Sequence, residues 1–413
     1  MERLNKRLII WAVVGLLVGG FESWCHVDAQ VKDPGTAPDG YSAIRIAKPV
    51  DENSDISAEI QNAIDRLGTN GGLIYLPEGN LRIGEQVIRI APRTDNLVIM
   101  GAGMRRTVLH LKTMSQGINV NGKRCAFQLG DSAATNDNQG QVRFLTIKGF
   151  SVIYDGGAGS AGGDAIGFLC STTRRSLFED VWVEGINIGF LCKNVSDFNI
   201  FRGVYVRNCT RCAVWLENQS NGNRFEGCDF LQTVAHDLAQ APMRGSGLRI
   251  DYWCLQNVIQ NCRFHNFNGS NSEEAVFIGD ASRTCAIRDN YFENCDIGVR
   301  LIGGNAGPVS GILIEGNYFF AMRKSAIVLG SSNWKYGIQG ITVSSNTIEN
   351  TAKAGGSIDG AGITLEDNSY DVSLINNTYL GFDRQGKRKV LHGTKLSGIQ
   401  ISGSKVDSLS NEN

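Results

Sequence analysis

Gly247-Leu248-Arg249-Ile250 is one copy of a pattern that runs through the last two thirds of the chain: a small residue, then an apolar residue, a variable residue and an apolar residue. The other copies are Ala213-Val214-Trp215-Leu216, Ala275-Val276-Phe277-Ile278, Gly298-Val299-Arg300-Leu301, Ala326-Ile327-Val328-Leu329, Gly362-Ile363-Thr364-Leu365 and Gly398-Ile399-Gln400-Ile401. A second signature precedes each: Gly227-Cys228-Asp229-Phe230, Asn261-Cys262-Arg263-Phe264, Asn290-Tyr291-Phe292, Asn317-Tyr318-Phe319, Asn346-Thr347-Ile348 and Asn377-Thr378-Tyr379. Between residues 144 and 403 the unit repeats about nine times at 22–36 residues, with Gly and Asn turns and no helical periodicity. That is the mark of a β-solenoid. Short strands between polar turns cannot bury a face alone; stacked as coils they can.

The spacing of the variable residues separates bare coils from decorated ones. Trp215, Arg249, Phe277, Arg300, Val328, Thr364 and Gln400 lie 34, 28, 23, 28, 36 and 36 residues apart. A bare coil needs about 22–24 by the shortest spacings, so the rest is loop, and it falls in front of the small-residue strand. The longest loops are Leu231–Ser246, Asn350–Ala361 and Phe382–Ser397, with a shorter one at Asn266–Glu274. Insertions confined to one side of a repeat build a binding face.

Fifty Gly and seven Pro suit many tight turns, and 42% apolar content supplies a long core. A solenoid forms one continuous domain at any length. Forty basic and 41 acidic residues leave a net charge of −1; with no basic stripe or RNA-binding signature, nucleic acid is excluded as the expected partner. Residues 1–29 read as a signal peptide: a basic start at Glu2–Arg7, an apolar core at Leu8–Phe21, and Val27-Asp28-Ala29 before a mature Gln30. Fourteen apolar residues are short for a membrane span. The expectation is therefore a secreted or periplasmic protein with no stable membrane insertion after cleavage. Residues 404–413 read as a polar tail.

Export would suggest disulfides for the ten cysteines beyond Cys25. Their positions argue for buried ladders instead: Cys228 and Cys262 share one repeat position, Cys209 and Cys295 another, Cys170 and Cys192 a third. Equivalent positions stack inward, where a free Cys acts as a small apolar residue. Cys209-x-x-Cys212 has no second pair to complete a metal site.

Ahead of the repeats, Ile56, Ile60, Ala63, Ile64 and Leu67 fall at helical spacing, with Asp55 as N-cap and Gly68 as stop. Gly71-Gly72-Leu73-Ile74-Tyr75-Leu76-Pro77-Glu78-Gly79 and then Leu97-Val98-Ile99-Met100-Gly101-Ala102-Gly103 follow. In this order the chain resembles the pectate lyase superfamily, whose N-terminal module would cover about residues 40–110, the likeness extending over roughly 40–403. The resemblance implies an all-β right-handed parallel β-helix, one domain over 30–403 with repeat coils at 144–403, its open end capped by a short helix. An uncapped end would expose unpaired strand edges. The superfamily includes lyases, hydrolases, epimerases and phage tailspikes, so the fold does not select a chemistry. The Asn-Thr-Asp, Asp-Asp, Gly-His-Gly and Arg-Ile-Lys motifs of polygalacturonases, the Asp-Pro-His of mannuronan epimerases and the Asp-His of pectate lyases are absent. Arg249-Ile250-Asp251 comes nearest, without the lysine, and no catalytic residue carries over.

Strand alternation supplies a site instead. With Leu248 and Ile250 inward, Arg249 and Asp251 point out. Coils stacked at about 4.8 Å then build an outward column Trp215, Arg249, Phe277, Arg300, and beside it Glu217, Asp251, Gly279, Ile302. The Leu231–Ser246 loop brings His236 and Asp237 to the same patch. Trp215 and Phe277 suit stacking on sugar rings, and guanidinium groups suit uronate carboxylates. The blander reading is that Arg and carboxylate simply pair across the sheet, worth about 0.2–1 kcal/mol, that the aromatics pack under loops, and that His236 is a surface residue.

The expectation is an exported enzyme cleaving a polysaccharide, an acidic one, by β-elimination: Arg249 and Arg300 neutralise the uronate, and His236 or Asp237 is the base. The alternatives are hydrolysis by Glu217 and Asp251, about 5 Å apart as in retaining glycosidases, and a non-catalytic adhesin or tailspike-like binder. Glu366 and Asp367, with Asp359, form an acidic patch three coils from Arg300, either a distal subsite or a polar rim. Asp155 and Asp164 flank the loop Gly156–Gly163; calcium is one reading, but a solvated turn is favoured because no Asp-x-Asp ligand set is present.

Overall fold

The commonest strand length among the described residues is three, typically with the middle side chain buried and its neighbours half-buried, as in Arg224–Glu226, Val258–Gln260, Tyr291–Glu293 and Tyr318–Phe320. Such strands persist only by stacking on their copies. The structure is a computed structural model describing residues 42–406 apart from 52, 112–123, 132, 134–139, 156–164, 234–244, 269–273, 331–333, 350–360, 383–390, 394–395, 398–399 and 403–404. The described residues belong to one compact unit, Ser42–Asn413. The expected signal peptide and the polar tail beyond residue 406 lie outside them.

One coil defines the architecture. Ser246–Ile250 runs in sheet 1, Val258–Gln260 in sheet 2 and Arg263–His265 in sheet 3, and the next coil restarts in sheet 1 at Glu274–Gly279. Each strand pairs in parallel with its counterpart one coil on. Sheet 1 has eleven strands, from Ile88–Ile90 to Leu391–Gly393. Sheets 2 and 3 are joined by the long strands Thr146–Tyr154 and Leu177–Glu184, which cross both. This is the parallel β-helix the repeat predicts.

The core explains both repeat signatures. Phenylalanines stack at coil spacing: Phe127, Phe168 and Phe190 at 4.9 and 4.9 Å, Phe178, Phe201 and Phe225 at 4.8 and 4.6 Å, and Phe230, Phe264, Phe292 and Phe319 at 4.9, 4.9 and 4.6 Å. The small residue that opens each sheet 1 strand faces them. A Cβ on Gly298 would lie 2.6 Å from the Phe319 ring, and one on Gly247 would lie 2.9 Å from Phe264.

The Asn of the second signature lines a buried turn. The side-chain amide of Asn290 donates to Asn317 Oδ1 at 2.9 Å, Asn317 to Asn346 at 2.9 Å, and Asn346 to Asn377 at 3.0 Å. Just before it, one residue per coil is left-handed: Gly203, Gly227, Asn261, Asp289, Gly316, Ser345 and Asn376, with φ between 51° and 66° across this column and Asp180. Gly, Asn and Asp tolerate that conformation best.

Ser57–Leu67 is the predicted helix, and it buries Ile60, Ala63, Ile64 and Leu67. The N-cap is Ile56 rather than the expected Asp55; Asp55, one residue earlier, accepts the Ser57 N–H at 2.8 Å through Oδ1, and Gly68, at φ 65°, ends the helix. All ten described cysteines are buried and free, and Cys170 and Cys192 are register partners, which agrees with ladders.

One repeat is corrected. Gly398-Ile399-Gln400-Ile401 was expected to continue the outward column of sheet 1, but Gln400–Ser402 pairs with Ser373–Ile375 in sheet 2. The next sheet 1 strand is Leu391–Gly393, and Thr364 is opposite His392. The last step is therefore 28 residues, and Phe382–Ser397 is not one loop. The signature misleads because sheet 2 carries the same alternation at Gly311-Ile312-Leu313-Ile314 and Gly340-Ile341-Thr342-Val343.

Candidate functional site

The outer face of sheet 1 changes character along its length. In the early coils Val87, Cys125, Ile166, Leu169, Ile188 and Leu191 form an apolar cluster of their own, separate from the interior core. Trp215 packs against its end. From there the outward column turns aromatic and charged, in the predicted register: Leu191 opposite Trp215, Trp215 opposite Arg249, Arg249 opposite Phe277, Phe277 opposite Arg300, then Val328 and Thr364.

The column is a stack of rings and guanidinium groups. Arg211 lies 4.5 Å from the Trp215 ring centre, Arg249 lies 5.4 Å from the same ring, and Arg249 lies 4.2 Å from Phe277. Cation–π contacts hold each ring in a fixed plane. Arg249 is also engaged by Asp251 on its own strand, whose Oδ2 accepts its Nε–H at 3.1 Å and its Nη2–H at 2.6 Å. Asp251 is 4% exposed. Its Oδ1 accepts the Tyr252 N–H at 3.2 Å and sits over Gly279 of the next coil, where a Cβ would come within 2.9 Å.

Burial pushes the Asp251 carboxyl above the usual aspartate value, against the pull of Arg249, with Asp280 adding repulsion. One coil on, at the opposite end of its strand, Glu274 is a second carboxyl on this face held by an arginine, here one from the following coil. Arg300 Nη1 donates to Glu274 Oε1 at 3.3 Å, and burial again outweighs the arginine and raises the carboxyl. Arg300 reaches the other way to Glu366, 3.8 Å from its Nη2. Glu366 therefore joins the same patch rather than a separate one three coils away, because the guanidinium spans Val328 on the intervening strand.

The expected residues divide as follows. Trp215, Arg249, Asp251, Phe277, Arg300 and Glu366 come together on one face. Glu217 is half-buried one position beyond Leu216, beside Asp251 in register, but the Asp251 carboxylate is held by Arg249 and leans onto Gly279. His236 and Asp237 lie outside the described residues, as do Asp164 and Asp359. Asp155 is taken by His110, whose Nδ1 is 2.6 Å from its Oδ1. Among the described residues no group of three or more His, Cys, Asp or Glu is placed to hold a metal ion.

Two participants escape a reading of the alternation alone. Glu274 occupies a position held by Ser246, Ile297 and Ser325 in other coils, and a lone carboxylate in such a column was the available signal. Arg211 precedes its strand, at the place Lys324 holds before Ser325, and so lies outside the alternation.

Residues 188–405, just over half of the chain, match the right-handed β-helix region family, and the chain belongs to that family. No curated protein matches it. Among solved structures it is similar to ORF18 of Geobacillus virus E2, at 16% identity and a TM-score of 0.57, over 83% of this chain and 62% of that one. The chain thus spans about three fifths of that protein's length. It is also similar to the A-module of the Azotobacter vinelandii mannuronan C-5 epimerase AlgE6, at 16% identity and a TM-score of 0.57, over 87% and 97% of the two chains. A third likeness is to the catalytic unit of a GH87 α-1,3-glucanase from Streptomyces thermodiastaticus, at 13% identity and a TM-score of 0.54, over 90% and 70%. At these identities the likeness is one of fold.

Proposed function

We propose that this member of the right-handed β-helix family binds a polysaccharide along the outer face of sheet 1, between Trp215 and Glu366, and hydrolyses it with Glu274 and Asp251. One observation carries the reading: two carboxyl groups on neighbouring coils of that face, Asp251 buried and Glu274 half-buried, are both held above their usual range. Hydrolysis of a glycosidic bond needs an acid for the leaving oxygen and a carboxylate for the opposite side. Glu274, which accepts a single longer bond from Arg300, takes the acid role. Asp251, gripped twice by Arg249 and once by a backbone N–H, takes the carboxylate role. Trp215 and Phe277 offer ring faces for sugars.

This departs from the elimination favoured by the alternation alone. Elimination asks for guanidinium groups free to neutralise a uronate, whereas Arg249 and Arg300 already hold carboxylates. Arg211, Arg249 and Arg300 face Glu217, Asp251, Glu274 and Glu366, a balance among the described residues that suits a neutral glycan better than an acidic one. The pectate lyase kinship and the work outside the cell belong to the same proposal, the latter resting on the leader-like residues 1–29.

The test is a panel of neutral and acidic polysaccharides, α-1,3-glucan, galacturonan and mannuronan among them, scored for new reducing ends and for unsaturated uronide. New reducing ends without unsaturation support hydrolysis, and unsaturated product overturns it in favour of elimination. Binding without product leaves the protein a non-catalytic binder.

A further inference from the structure

Directly after Asp251 the chain leaves sheet 1 through a turn that recurs in neighbouring coils as two left-handed residues. Asn194 and Val195 have φ 54° and 66°, Asn218 and Gln219 52° and 65°, Tyr252 and Trp253 55° and 63°, and Asp280 and Ala281 28° and 63°. Large aromatic residues are poorly suited to that conformation. Yet two stand together here, and their side chains are exposed, Tyr252 at 49% and Trp253 at 44%. Arg283 backs Trp253 at 5.9 Å from its ring centre.

Beyond them the corner carries small side chains. The next coil brings Asp280, whose carboxylate packs over the buried Gly304, and the one after it brings the exposed Asn305 and Ala306. Aromatic rings return at Trp334 and Tyr336, both exposed, with Lys335 4.8 Å from the Tyr336 ring centre. Backbone bonds tie the series together: Trp253 N–H donates to Asp280 O at 3.2 Å, and Tyr336 N–H to Gly304 O at 3.1 Å. The two aromatic pairs are thus three coils apart, roughly 14 Å at the rise of adjacent strands, with Asp280, Asn305 and Ala306 between them and Asp251 at the near end.

We propose that this corner is the second wall of the glycan site. Tyr252 and Trp253 stack on one sugar, and Trp334 and Tyr336 on another, of a neutral chain lying parallel to the solenoid axis over Asp280, Asn305 and Ala306. The proposal rests on the reading of sheet 1 as a glycan-hydrolysing face and adds the direction of the bound chain and a preference for long substrates. A ring face against the apolar face of a pyranose is the contact that exposed aromatics supply. Continuity with Asp251 makes a glycan the occupant.

The repeat provides its own control. The double substitution Tyr252→Asn and Trp253→Gln installs the Asn218-Gln219 turn of the preceding coil, which already adopts this conformation, so the fold should keep or raise its melting temperature. Oligosaccharides of increasing length from whichever panel glycan is hydrolysed are then compared on wild type and variant. The expected result is a loss of about tenfold in kcat/KM for hexamers and longer, with the shortest cleavable oligomer within about twofold of wild type. An unchanged length dependence overturns the proposal, and so does an equal loss at every length, which would put the rings at the point of cleavage. A wild-type protein inert on every glycan overturns instead the reading of sheet 1 beneath it.

Discussion

At the scale of single residues, the division of labour between Glu274 and Asp251 makes the sharpest predictions. Glu274→Gln should abolish turnover of natural glycan yet spare much of it on aryl glycosides, whose leaving groups need no proton. Asp251→Asn should abolish both, and equal losses on the two substrate types for Glu274→Gln would remove it from the acid role. Folding carries a second signature. Both groups bind protons more tightly folded than unfolded, so their contribution is complete below the ordinary values of 3.8 and 4.5 and is lost as pH rises through the raised folded values. Urea midpoints should therefore fall with rising pH across that window, and a midpoint that rises there contradicts the raised carboxyls. The column Trp215, Arg249, Phe277, Arg300 was legible because alternation and coil spacing are sufficient to align it. That Asp251 takes Arg249 on its own strand was harder to read, since the choice between a same-strand and a cross-strand partner depends on rotamers.

At the scale of elements, the repeat needs its small residues and its asparagines for reasons a sequence shows only as recurrence. Asn317 accepts from the Asn290 backbone and side chain at 3.0 and 2.9 Å, and it donates to Ile287 O and to Asn346 at 2.9 Å each. Asn317→Ala leaves several buried groups unpaired, each costing about 1–3 kcal/mol. Chemical denaturation should show a loss well above the ~0.5 kcal/mol of an ordinary surface change; a loss no larger than that would make the ladder ornamental. The same recurrence misplaced the last coil. Gly398-Ile399-Gln400-Ile401 and Gly340-Ile341-Thr342-Val343 share one pattern because sheets 1 and 2 both bury alternate residues, and only strand pairing separates them.

At the scale of the whole molecule, a solenoid is limited by its ends and defined by its faces. The helix Ser57–Leu67 buries its own Ile60 and Ile64 and packs against the strands Gly72–Tyr75 and Ile88–Ile90. Removing residues up to Gly71 should make the chain associate through its open edge, seen as a shift to high mass in size-exclusion chromatography; an unshifted elution would mean the cap is dispensable. The outward column of sheet 1 was legible from alternation, while the raised carboxyl pair on it was not, because burial on an outer face depends on what covers it. The most direct test is product analysis by proton NMR of the glycan panel incubated with wild type and with Glu274→Gln. The account predicts hemiacetal reducing ends from wild type on a neutral glycan and none from the variant. Unsaturated uronide from wild type, or undiminished reducing ends from the variant, would contradict it.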